Sequence, residues 1–79
     1  MPTLLLLDGF RFFFFSNENN EPAHIHVQKG NGKGKVWLEP ELKAAWFNGF
    51  TKNEIKFVMQ RAEKHQDNFK TKWNEYFGK

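Results

Sequence analysis

The stretch His24-Ile25-His26 holds the residues best suited to chemistry in this 79-residue chain. Imidazole changes charge near neutral pH, ligates divalent metals as a neutral ring, and moves protons in either direction. Residues two apart on a strand share a face, so a strand here sets the two rings side by side. His24 and His26 are therefore the candidate catalytic pair, one as base and one as acid. The same two are the first candidate ligands for a metal, with His65 or Glu21 as a third. A plain solvated strand face is the competing interpretation.

A second set lies in the C-terminal third. On a helix, Arg61, His65 and Lys72 fall on one flank, while Glu63 and Asp67 fall on the other. Cations beside imidazoles oppose a divalent ion and favour phosphate or carboxylate. No metal is expected on that ground, and Arg61, His65 and Lys72 become the candidate anion- or RNA-binding set. Together with the His pair they could cleave RNA without metal, by proton transfer plus charge stabilisation. This requires the helix to cross the sheet near His24 and His26. Otherwise Arg61 and Lys72 only extend over the helix edge.

Other features are weaker. Lys29 to Lys35 combines three Lys with three Gly, which suits a solubilising hairpin tip and lacks the spacing of a nucleotide-binding loop. Trp37, Trp46 and Phe47 could stack on bases, but a core this small needs most of them. Phe57 sits nearly opposite the apolar stripe of its helix, so it should be exposed or at an interface. No nucleophile–His motif, HExxH, P-loop or carboxylate pair is present, and no cofactor is expected. A non-enzymatic interaction module and a metal-binding module remain alternatives to an RNA-directed one.

The elements that must position these residues follow from patterning. Leu4–Leu7 and Phe10–Ser16 read as strands around Asp8-Gly9, a dipeptide suited to a two-residue hairpin turn. Phe10, Phe12 and Phe14 share one face of the second strand, and Arg11, Phe13 and Phe15 the other. A strand apolar on both faces should be internal to its sheet. Asn17 to Pro22 is a polar loop. His24–Gln28 alternates, with Ile25 and Val27 opposite His24, His26 and Gln28. Residues 30–34 read as a turn, Val36–Leu38 as a strand, and Leu42–Phe47 as a last short strand. Thr51-Lys52-Asn53-Glu54 is a capping box. Ile55, Val58, Met59, Ala62, Gln66, Phe69, Trp73, Tyr76 and Phe77 then form one helical stripe, closed by Gly78. The expected fold is α+β: an N-terminal antiparallel sheet of four to five strands packed on one long C-terminal helix, in a single domain over residues 1–79.

Composition is consistent with that outline. Ten Phe and three Trp supply a dense core for a short chain. No cysteine is present, and no apolar run resembles a leader or a membrane span, so a cytoplasmic location is expected. The net charge is +3. Residues 1–50 are balanced, whereas residues 51–79 carry the basic excess, compatible with a polyanionic partner.

The Pro22-x-His24-x-His26-Val27 block, the opening Met1-Pro2-Thr3, Gly9 between two strands, and Ala62-Glu63-Lys64-His65 through Trp73 resemble a bacterial family called domain of unknown function 4160. The resemblance implies a small protein encoded beside another, similar to toxin–antitoxin pairs, and hence a partner-bound, RNA-directed role. Two features depart from the pattern. Pro22-Ala23 stands where two prolines are common, and Gln66-Asp67-Asn68-Phe69-Lys70 replaces an acidic, Leu-rich stretch.

Overall fold

A computed structural model of the protein describes residues 3–15 and 20–78. Five strands, β1 (Thr3–Leu7), β2 (Phe10–Phe13), β3 (His24–Lys29), β4 (Gly32–Trp37) and β5 (Lys43–Asn48), precede one helix, α1 (Lys52–Phe77). The strands pair in sequence order, and every pairing is antiparallel. The α+β arrangement expected from patterning is the one observed.

Local chemistry explains the turns and caps. Asp8 and Gly9 take φ of 52° and 83°, the positive values that a tight hairpin of this twist needs. Thr51 and Glu54 complete the capping box, with Glu54 N donating to Thr51 Oγ1 at 3.1 Å and Thr51 N donating to Glu54 Oε1 at 2.9 Å. Gly78 ends the helix in the left-handed region, its N–H donating to the Asn74 carbonyl.

The helix lies along one face of the sheet, following β2. Phe57 meets Phe10, Phe69 stacks on Phe12, and Trp73 and Phe77 meet Phe14. Ile25, Val27, Val36, Leu38, Val58 and Ala62 complete this core. Strand β2 is internal, as its two apolar faces require.

Four expectations need correction. Strand β2 ends at Phe13, not at Ser16, which lies with Asn17–Asn19 outside the described residues. The 30–34 turn is only Gly30-Asn31, because Gly32 and Gly34 belong to β4, paired with Lys29 and Val27. A Cβ at Gly32 would run into the Phe50 ring, and one at Gly34 into the Phe47 ring. These glycines make room for cross-strand aromatics; they do not break the strand. Phe57 is half-buried against Phe10 and the core, because the helix starts close to the sheet. Tyr76 lies at the rim of the core, 50% exposed.

Candidate nucleic-acid interface

The sheet face turned away from α1 carries the candidate site. Cross-strand partners share a face, so the register sorts its residues into rows running across the strands. The middle row is Thr3, Phe13, His26, Lys35 and Trp46. Beside it run Leu6, Arg11, Gln28, Lys33 and Asn48. At the far end, His24, Trp37 and Lys43 form a shorter row.

This face is aromatic and cationic. The His26 ring stacks on Phe13 at 5.7 Å and meets Phe15 edge-on at 4.9 Å. These rings, with Gln28, Lys33 and Trp46, line a shallow cavity of about 190 Å³. Trp46 is 47% exposed and Phe15 38% exposed. Lys35 lies over the Trp37 ring at 4.3 Å, and Arg11 over Phe13 at 4.6 Å. None of the five strands contains an acidic residue. The acids of this half that are described, Asp8, Glu21, Glu39 and Glu41, stand in the connections, and Glu21 reaches back to Lys35 at 3.1 Å.

His24 and His26 are brought together, their ring centroids 5.3 Å apart, but their surroundings differ. His26 is half-buried and opens onto the cavity. His24 is fully buried at the head of β3, where its ring meets Trp37 at 5.4 Å and Trp73 of the helix at 5.0 Å. Its Nδ1 lies 2.9 Å from the Pro22 carbonyl oxygen. A carbonyl only accepts, so Nδ1 carries a proton. Nε2 faces Glu21 Oε1 at 3.7 Å.

Arg61, His65 and Lys72 do not join the histidines. They project from α1, which covers the opposite face of the sheet. The Arg61 guanidinium lies over Phe57 at 5.1 Å, its Nε buried with no hydrogen-bond partner among the described residues. His65 packs near Phe69 at 6.0 Å. Lys72 lines a separate open pocket with Thr3, Leu4, Phe14, Glu75 and Tyr76. Among the described residues no group of three His, Cys, Asp or Glu side chains could hold a metal ion.

A family model, Domain of unknown function (DUF4160), matches residues 9–74. The chain belongs to the DUF4160 family. The matched span runs from the β1–β2 turn to the last turns of α1, so the aromatic face of β2 to β5 lies within it. No match was found among curated proteins or solved structures. No described helix is long and apolar enough to cross a membrane.

Residue pattern points to His26 and, as a possible stacking ring, to Trp46, but not to Arg11, Phe13, Lys33 and Lys35 as their neighbours on one face. The signal was the alternation Lys33-Gly34-Lys35-Val36-Trp37, concealed by the glycines.

Proposed function

We propose that the chain binds single-stranded RNA across the open face of its sheet. Phe15, His26 and Trp46 offer rings for stacking bases, and Arg11 and Lys33 offer charge to phosphates in the adjacent row. The observation that supports this is the pairing of half-exposed rings with cations on strands free of acidic side chains. An open sheet face suits splayed bases, not a duplex groove. Gln28 and Asn48, in the row of Lys33, supply amide donors and acceptors suited to a 2′-hydroxyl.

Binding fits this geometry better than cleavage. Acid–base cleavage by the His pair needs both rings at the substrate, and His24 is enclosed by Trp37 and Trp73. An RNA-binding module also suits the toxin–antitoxin-like arrangement that the resemblance implies.

Fluorescence anisotropy with short labelled single-stranded RNA, and with DNA of the same sequence, tests the reading. Loss of one stacked base costs about 1–3 kcal/mol, so Trp46→Ala should weaken RNA binding roughly 5- to 150-fold. Lys33→Glu should weaken it as well, whereas Lys64→Glu on the exposed side of α1 should leave it unchanged. If folded Trp46→Ala and Lys33→Glu proteins bind as the parent does, the open face is not the site.

A further inference from the structure

The leucines of β1 take no part in the proposed RNA contacts, although Leu6 stands at the edge of the same face. Strand β1 is an edge of the sheet, with no described strand on its outer side. Its sequence, Thr3-Leu4-Leu5-Leu6-Leu7, contains no charge. Such an edge presents unpaired backbone donors and acceptors and templates further pairing unless it is guarded. The other edge, β5, is guarded by Lys43 and by a bulge within its pairing to β4. On β1 the irregularity lies between Thr3 and Leu5, leaving Leu5–Leu7 regular. Leu6 is 70% exposed, the highest of the exposed large apolar residues. On the helix side the same edge opens into the pocket of about 390 Å³ lined by Thr3, Leu4, Phe14, Lys72, Glu75 and Tyr76.

We infer that the chain forms a two-fold dimer by antiparallel pairing of β1 with β1 of a second copy, centred on Leu6. The strand is its own complement. Leu6 opposes Leu6, Leu5 opposes Leu7, and no charged residue lies within the paired stretch. At each end of this short seam the Asp8 turn of the second copy comes near Leu4, and so near Lys72 and Glu75, which line the pocket beside Leu4; Lys72 sets a cation between the two acids. Half-exposed Tyr76 sits at the same seam and is covered by the second copy. Isologous contact of this kind closes on itself and makes a dimer, not a fibre. The two-fold runs perpendicular to the sheet, so both helices lie on one side and both open faces join on the other. The dimer stands independently of the RNA reading.

Light scattering on a size-exclusion column tests it with the intact chain. The parent should elute at twice its 9.4 kDa mass. Leu6→Lys should shift it to monomer with an unchanged circular dichroism spectrum. Lys72→Glu, a surface change that leaves β1 intact, should weaken the dimer measurably on dilution. Trp46→Ala should remain dimeric. A parent that is monomeric at every concentration tested overturns the proposal, whether or not it binds RNA. So does a dimer that survives both Leu6→Lys and Lys72→Glu.

Discussion

His24 and His26 stand two positions apart on one strand, yet each is set a different task by its neighbours. Trp73 reaches His24 from the helix and Trp37 from the next strand, so His24 belongs to the core and its Nδ1–H is held by the Pro22 carbonyl. His26 rests between Phe13 and Phe15 at the mouth of the cavity. Truncating His24 removes a buried ring and leaves a hole. His24→Ala should cost roughly 3 kcal/mol, near the low end for buried aromatic truncation. His26→Ala should cost less than about 1 kcal/mol, as half-exposed substitutions commonly do, while reducing RNA binding. Urea unfolding beside anisotropy separates the two; equal losses of stability would show that the rings share one environment.

Strand β4 sets glycines against aromatic rings. Glycine weakens a strand, but here Gly32 and Gly34 let the rings of Phe50 and Phe47 lie directly on the backbone. Phe47 is the cross-strand partner of Gly34, so the pair replaces two ordinary side chains with one large one. Gly34→Ala should destabilise the protein by about 1–3 kcal/mol through overpacking. Combining it with Phe47→Leu should cost less than the two single changes added together, because the smaller side chain makes room. Strict additivity in urea unfolding would mean that the ring and the glycine are not coupled. Packing the glycines inward also turns Lys33 and Lys35 outward, which is how β4 contributes charge to the open face.

At the scale of the whole molecule, a nearly neutral half becomes a basic surface. Residues 1–50 balance five cations against five anions, but the strands hold all the cations and connections take the described anions. Arg11, Lys33, Lys35 and Lys43 share the open face, with Lys35 partly held by Glu21. RNA bound as proposed would have about three phosphates neutralised there, and at roughly 0.7 per phosphate for single strands the logarithm of affinity should fall against that of salt with a slope near −2. Titrations at several salt concentrations measure this; a slope near zero would mean that charge has no part in binding. The hairpin at Asp8-Gly9, the capped helix with its apolar stripe, and the two-faced strand β2 are legible from residue pattern alone, because turns, caps and periodicity act between near neighbours in the chain. That pattern also offers His26 as a candidate, and His26 lies on the open face. The enclosure of His24, the placing of the Arg61, His65 and Lys72 flank on the helix side of the sheet, and the outward face of Trp46 beside His26 emerge from packing. These depend on which face the helix covers and how β4 and β5 register, and such contacts join residues that local pattern cannot relate.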